Sequence, residues 1–144
     1  MTQDFVLHQQ LAADTVPIVD WPLSALLLMR AERRWPWLIL VPRRPALREI
    51  ADLEPADRAL LIEEIADATR LLQALYAPDK VNVAAIGNMV AQLHVHVVAR
   101  TRDDPVWPKP IWGQLPAEPY ETAALEARLA QLRHALAAGR HKGH

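Results

Sequence analysis

The order of apolar and polar residues along the chain predicts five short strands. Trp37–Val41 is apolar throughout, so we expect it to be buried on both faces and to form a hairpin with the strand before it. A turn at Gly87-Asn88 separates the last two strands, which should therefore pair in an antiparallel manner. The predicted strands are Thr15–Asp20, Ser24–Met29, Trp37–Val41, Val81–Ile86 and Val90–Ala99.

Apolar residues at helical spacing predict two helices. The first begins at Pro55, a residue suited to the first helical position, and ends before Pro78. The second covers about Tyr120–Ala138, and the residues after Gly139 should fray. Because strands and helices occur in blocks and not in regular alternation, we expect a single α+β domain over residues 1–144 with an antiparallel sheet.

A long loop rich in proline and tryptophan, residues 102–119, joins the last strand to the last helix. Long ordered loops in small domains are often functional. Trp107 and Trp112 lie in this loop, and for Trp107 we favour a position at the edge of a binding pocket over simple packing. The remaining tryptophans lie beside strands and should pack in the core or at an interface: Trp21, Trp35 and Trp37.

Composition narrows the range of partners and reactions. The chain has 144 residues, of which 51% are hydrophobic and 23% charged, as is typical of globular domains. Its net charge of −1 argues against a nucleic-acid polymer or a membrane surface as partner. The absence of cysteine excludes thiol catalysis and disulfides. Since the N-terminus lacks the basic start and apolar core of a secretory signal, we expect a cytoplasmic protein.

Three hydrogen-bonding side chains alternate with apolar ones in the last predicted strand. Residues two apart on a strand share a face and lie about 7 Å apart, so we expect Gln92, His94 and His96 to project to one side of the sheet. Imidazole is neutral and nucleophilic near pH 7, so such a row can attack an electrophile and hold its oxygens. The intervening residues should enter the core: Leu93, Val95 and Val97.

Three other interpretations of the two histidines are open. They could be polar surface residues, a metal-binding pair, or part of a nucleotide-binding module without turnover. A His-x-His pair on a strand can chelate a metal, but a third ligand is not placed nearby, and the stretch VVARTR after His96 holds no glutamate. We therefore expect neither a metal nor a cofactor.

The segment QLHVHVVAR resembles the His-φ-His-φ-His-φ-φ motif of the histidine-triad (HIT) family of nucleotide hydrolases and transferases, φ being apolar. Gln92 then occupies the first position of the triad, His94 the middle and His96 the third. Upstream, Gly87-Asn88-x-Val90 is similar to the family's Gly-Gln-x-Val. The resemblance extends through LILVPRRPALREIADL and Trp107-Pro108, and covers about residues 15–115.

The resemblance implies a fold, a reaction and an assembly. The fold is an antiparallel sheet with one long helix packed on it, and most relatives form homodimers. In this family the middle histidine, here His94, attacks the α-phosphorus of a nucleotide conjugate. The resulting nucleotidyl-histidine is then resolved by water. His96 and Gln92 would hydrogen-bond the phosphate or the bridging oxygen.

The resemblance also points to residues that would bind the substrate. The Asn88 side chain and the Met89 backbone amide match positions that contact the phosphate. Asn82 is near the position of a family asparagine, at a spacing one residue shorter. Arg30 falls where relatives carry a ribose-binding asparagine or aspartate, and an arginine there could reach a phosphate.

Departures from the family pattern support an alternative function. With Gln92, Leu38 and Arg30 at positions where relatives differ, the chain could be a nucleotide-binding HIT-like protein with weak or no turnover. Residues 30–48 also hold six arginines and one glutamate. That local positive charge either faces solvent or attracts an anionic substrate.

Overall fold

A computed structural model describes residues 4–139 and shows the α+β fold that the sequence predicts. The predicted frayed tail, residues 140–144, lies outside the described residues. A 3-10 turn at Ile50–Asp52 precedes the longest helix. The elements are α1 Gln9–Asp14, β1 Thr15–Asp20, β2 Ser24–Met29, β3 Trp37–Pro42, α2 Pro55–Tyr76, β4 Lys80–Ala84, β5 Val95–Arg100 and α3 Thr122–Ala137.

The five strands form one antiparallel sheet in the order β1-β2-β3-β5-β4. The predicted hairpin of β2 and β3 is confirmed, with Leu26 opposite Leu40. The strands on either side of Gly87-Asn88 also pair as predicted, with Val83 opposite Val97. As a result β5 lies inside the sheet, between β3 and β4, and β4 forms one edge.

Both faces of the sheet are covered by apolar side chains. On one face, Leu38 and Val97 pack against α2 residues such as Leu61, and Leu132 of α3 joins this cluster. On the other face, residues of β2, β3 and β5 pack with tryptophans and with the loop after β5. The buried members of this second cluster are Leu11, Ala25, Leu27, Trp35, Trp37, Ile39, Val41, Val98, Val106 and Ile111.

A buried carboxylate joins α2 to the turn between β1 and β2. The Glu64 side chain is fully buried and accepts hydrogen bonds from the backbone amides of Leu23, at 2.9 Å, and Ser24, at 3.0 Å. These amides would otherwise be unpaired in the interior, where an unpaired donor is costly. The bond pair therefore fixes the turn against the helix.

Two elements differ from the sequence prediction. The strand expected over Val90–Ala99 begins only at Val95, because the backbone amide of Leu93 binds the carbonyl of Leu47 and not a neighbouring strand. Leu93 is nevertheless buried, as expected. The short helix α1 was not predicted, since six residues with one buried side chain, Leu11, are too few to show helical periodicity. Among residues 4–139, no helix combines the length and apolarity needed to span a membrane.

Candidate active site

Two histidines lie where the chain enters the interior strand. His94 directly precedes β5, and His96 lies on β5 opposite Ile39 of β3 and Ala84 of β4. Each is only 7% exposed, and their ring centroids are 4.9 Å apart. The two imidazole rings therefore lie in contact at the end of the sheet where β5 begins.

A backbone carbonyl fixes the tautomer of His94. The Nδ1 atom lies 2.7 Å from the carbonyl oxygen of Gln92. A carbonyl can only accept a hydrogen bond, so Nδ1 carries the proton. The lone pair of the neutral ring is then on Nε2, which is the atom available for reaction.

An indole fixes the opposite tautomer of His96. The Nε1–H group of Trp37 donates a hydrogen bond of 3.0 Å to Nδ1 of His96, and an indole N–H can only donate. The proton of neutral His96 is therefore on Nε2. Burial, followed by the nearby His94 ring, lowers the pKa of His96 to about 4. His96 thus offers a neutral N–H donor throughout the physiological pH range.

A cavity of about 380 Å³ opens in front of the two histidines. Its volume is in the range of small-ligand sites. Apolar side chains from α1, β2 and the loop after β5 form much of its wall, and Asp14 and Asn88 add polar groups. The lining residues are Leu11, Asp14, Met29, Ile39, Ile86, Gly87, Asn88, Met89, Val90, His94, His96, Trp112 and Gly113.

Four of the predicted site residues meet at this cavity: His94, His96, Asn88 and Met89. The Met89 side chain is 97% exposed, so the residue forms the rim and not the floor. Gly87 precedes them with a φ of +68°, a left-handed conformation that favours glycine and turns the chain toward the histidines. The motif Gly87-Asn88-x-Val90 is therefore a loop that lines the cavity.

Gln92 lies beside His94, but its side chain is engaged with the N-terminal segment. Its Nε2 donates to the carbonyl of Val6 at 2.8 Å, and its Oε1 accepts from the backbone amide of His8 at 2.8 Å. Because this part of the chain precedes β5, the strand alternation that predicted its direction does not apply. The carboxamide thus pairs with the backbone of residues 6 and 8 as one peptide group pairs with another.

Asn82, Arg100 and Trp107 form a separate polar cluster. Asn82 Oδ1 accepts a 2.9 Å hydrogen bond from Arg100, whose side chain is almost fully buried and forms a 2.7 Å ion pair with Asp104. Burial alone would raise the pKa of the Asp104 carboxyl, but hydrogen bonds from Arg100 and backbone amides hold that pKa well below its usual range. The Arg100 guanidinium also lies over the Trp107 ring, at 5.6 Å.

The structure places three of the predicted substrate-binding residues, Asn82, Trp107 and Arg30, outside the lining of this cavity. Asn82 and Trp107 are not among the residues that line the cavity, because each is held by Arg100. Trp112, from the same loop as Trp107, lines the cavity and packs edge-on against His96, with ring centroids 5.4 Å apart. Arg30 is exposed and lies outside the lining, next to Met29, which is part of it.

Most of the arginines between residues 30 and 48 have structural partners. Arg33 and Arg34 form ion pairs with Glu118 and Glu32. Arg44 pairs with Asp57, and Arg43 donates to the Trp21 carbonyl. Arg48 is different, since it lines a second cavity of about 390 Å³ that adjoins the first and shares Ile86, Gly87 and His94 with it.

Sequence reasoning missed the contribution of the N-terminal segment. Leu11 and Asp14 of α1 line the cavity, and no spacing signal marks them. Trp112 could have been found, since it stands with Trp107 in the loop that the sequence singles out. Within residues 4–139, no group of three or more His, Asp or Glu side chains is arranged to hold a metal ion.

The fold and the His-Val-His pair define a class: an α+β protein with paired histidines at a cavity beside the interior strand of an antiparallel sheet. The sequence matches the HIT domain over residues 12–103. The chain therefore belongs to the HIT, or histidine-triad, family. No curated protein matches it in sequence.

Solved structures of bacterial histidine-triad proteins are similar over nearly the whole chain. One from Marinobacter aquaeolei VT8 is 40% identical, with a TM-score of 0.90, and the match covers 94% of this chain and 98% of that one. One from Bradyrhizobium japonicum is also 40% identical, at a TM-score of 0.87 and coverages of 92% and 98%. One from Sinorhizobium meliloti 1021 is 41% identical, with a TM-score of 0.86, and the match covers 90% of this chain and 96% of that one.

The lowered pKa of His96 gives a defined pH dependence of stability. The folded-state pKa of about 4 lies below the unfolded value of 6.5, so the unfolded chain binds more protons between these values. This contribution is complete above pH 6.5 and is lost as the pH falls toward 4. We expect about 2 kcal/mol of unfolding free energy to be lost between pH 7 and pH 5, measured by urea titration. His96→Asn should show a correspondingly smaller pH slope, and an equal slope would contradict this origin.

The hydrogen bond from Trp37 can be tested against a matched tryptophan. Trp37→Phe removes the donor to His96 Nδ1, so His96 should populate both tautomers, as measured by imidazole ¹⁵N chemical shifts. Trp112 packs on the same ring, but its indole N–H has no hydrogen-bond partner in the described part of the chain. Trp112→Phe should therefore leave His96 protonated on Nε2. An unchanged tautomer in Trp37→Phe would show that the indole does not set it.

Proposed function

We propose that the protein is a nucleotide hydrolase or transferase that acts at the α-phosphate of a nucleotide conjugate, such as a dinucleoside polyphosphate or a nucleoside phosphoramidate. The observation that carries this proposal is the pair of opposite tautomers. His94 has its lone pair on Nε2, and His96 beside it has an N–H group on Nε2. One group can attack phosphorus while the other binds the oxygens around it.

The reaction proceeds in two displacements. Nε2 of His94 forms a bond to the α-phosphorus, and the leaving group departs with the electron pair of the broken bond and takes up a proton. The ring gains positive charge, which the Gln92 carbonyl stabilises through the Nδ1–H hydrogen bond of 2.7 Å. Water then attacks phosphorus, the P–N bond breaks, and a nucleoside monophosphate and a proton are released.

The remaining groups hold the substrate. His96 Nε2–H donates to a phosphoryl oxygen, and such preorganised donors supply much of the acceleration in sites of this kind. The Asn88 side chain and the Met89 amide, at the cavity rim, bind the same phosphate. The apolar wall with Leu11 and Trp112 encloses the nucleoside. Asn82, Arg30 and Trp107 are left out of this proposal, since they lie outside the cavity lining. The mechanism needs no metal on the enzyme, and we place the activity in the cytoplasm.

One observation favours the second candidate, a nucleotide-binding protein with weak or no turnover. The carboxamide of Gln92, at the first triad position, is held by backbone groups of residues 6 and 8, so it is not freely available to the substrate. A site with two histidines in place of three would bind phosphate and turn it over slowly. The test below separates the two functions.

We also propose that the protein forms a homodimer through β4. Strand β4 is an edge of the sheet, and its Val83 side chain is 47% exposed. An open edge strand is a template for pairing with another copy. The opposite edge, β1, is less open, because Arg133 of α3 donates hydrogen bonds to the carbonyls of Pro17 and Ile18.

The proposed nucleophile can be tested by trapping. Incubation with a reactive adenylate and an acid-free quench should leave one nucleotide on His94, located by peptide mass spectrometry. His94→Ala should lose both adduct and turnover while its affinity for AMP stays within about tenfold. His96→Ala should lower kcat by about 10²–10³, as expected for loss of one preorganised donor. Turnover should be the same with and without a chelator in the assay, because the proposed mechanism needs no metal on the enzyme.

Two results would decide against this function. Turnover that persists in His94→Ala would exclude His94 as the nucleophile. Tight AMP binding with no adduct and no turnover in the unsubstituted chain would establish the binding protein instead.

The proposed dimer through β4 can be tested by measuring the mass of the protein in solution. At micromolar concentration the sedimentation mass should be close to twice the 16.2 kDa of the chain. Val83→Lys on β4 should shift the mass toward the monomer. Val19→Lys, at the 38% exposed position on the opposite edge strand, is the matched control and should not. A monomeric mass for the unsubstituted chain, or dissociation by Val19→Lys alone, would contradict the proposal.

A further inference from the structure

A short N-terminal strap, residues 4–8, is anchored beside the two histidines. Phe5 and Leu7 are half-buried and pack on the cluster that contains Trp37, whereas the side chains of Val6 and His8 are exposed. Backbone groups of residues 6 and 8 are the ones that bind Gln92. The strap is therefore held by side chains on one side and by a single carboxamide on its backbone.

The chemistry of a carboxamide suits this contact, and that of an imidazole does not. The oxygen and the NH₂ group of glutamine leave the same carbon and point in similar directions, as the two groups of a peptide ladder do. They can therefore bind a carbonyl and an amide that lie side by side on one strand. The two nitrogens of imidazole point away from each other, so a histidine at position 92 could satisfy only one of the two backbone groups.

Gln92, one of the positions where this chain departs from the family pattern, contacts a segment that precedes the matched domain. The HIT domain match begins at residue 12, after the strap. Gln92 stands where the triad motif has its first histidine. These two features are 84 and 86 residues apart in the sequence, and two hydrogen bonds of 2.8 Å join them. A side chain whose only role was to bind the substrate phosphate would not need these hydrogen bonds to the N-terminal segment.

The strap leads directly into α1, which forms part of the cavity wall. The His8 side chain accepts a hydrogen bond from the Gln10 amide and so caps this helix. The Gln10 side chain in turn donates to both carboxylate oxygens of Asp14, at 3.0 and 3.1 Å. Asp14 and Leu11 line the cavity. The position of this wall thus depends on where the strap is fastened.

We propose that Gln92 is a positioning residue, not a catalytic one: it fastens the N-terminal strap and thereby sets the cavity wall against the nucleoside part of the substrate. The fastening itself can be measured without any reaction, and only the effect on substrates rests on the proposed function. Gln92 accordingly determines substrate binding, and the two histidines perform the chemistry.

The fastening is tested by hydrogen exchange on the full chain. Gln92→Ala removes both the NH₂ group that donates to the Val6 carbonyl and the oxygen that accepts from the His8 amide. The His8 amide should exchange at least about tenfold faster in Gln92→Ala than in the unsubstituted chain. The Leu93 amide, which binds the Leu47 carbonyl, is the internal control and should keep its protection. An unchanged His8 amide overturns the proposal.

The effect on substrates is tested by a double-mutant cycle. His8→Pro removes the amide that Gln92 binds, at a φ of −55° that proline accepts. Gln92→Ala and His8→Pro should each raise KM about three- to tenfold and change kcat by no more than about twofold. Because both substitutions break the same contact, KM of the double variant should equal that of either single variant. His8→Ala also loses the helix cap but keeps the amide, so its effect should be smaller than that of His8→Pro.

The outcomes separate this inference from the proposed function. A fall in kcat of about 10²–10³ in Gln92→Ala, additive with His8→Pro, would make Gln92 a catalytic residue and overturn the proposal. If no nucleotide conjugate is turned over, the proposed function is wrong. The same double-mutant cycle is then measured with the affinity for AMP in place of KM. The exchange result then still decides whether Gln92 fastens the strap.

Discussion

The interior strand β5 is buried on both faces, and this constraint decides the chemistry of the site. A polar side chain on such a strand has no water to bind, so it must find a partner in the protein. His96 takes the Trp37 indole, and Arg100 takes Asp104 and Asn82. His94, just before the strand, takes a backbone carbonyl. The indole can only donate a hydrogen bond and the carbonyl can only accept one, so each sets a single tautomer of the neutral imidazole it contacts.

This arrangement makes the two histidines unequal although they are neighbours of the same type. His94 keeps a lone pair because a carbonyl holds its proton on the other nitrogen. His96 keeps a proton because an indole occupies its other nitrogen, and burial lowers its pKa to about 4. The difference between the two tautomers therefore comes from β3 and from the loop before β5, not from the His-Val-His motif itself.

The sequence predicts the elements well and their partners poorly. The sequence pattern placed β1, β2 and β3 within one residue and α2 within one turn, and β2, β3 and α2 each bury apolar residues along most of their length. The short motif marked His94 and His96 as neighbours at one site. No local pattern could show that Asn82 binds Arg100, or that Gln92 binds residues 6 and 8, since these contacts join distant parts of the chain. Strand alternation predicts which face a side chain takes, but β5 begins only at Val95, so the alternation does not extend to Gln92.

The cavity wall formed by α1 has a consequence for how such proteins diverge. This helix contributes none of the ladder hydrogen bonds of the sheet, and the supports of both histidines, Trp37 and the Gln92 carbonyl, lie elsewhere. Replacement of Leu11 or Asp14 during evolution would reshape what the cavity accepts while the protonation of the histidines stayed the same. Under the proposed function, substitutions in α1 would therefore change substrate preference while the groups that hold the two imidazoles, the Trp37 indole and the Gln92 carbonyl, stayed the same.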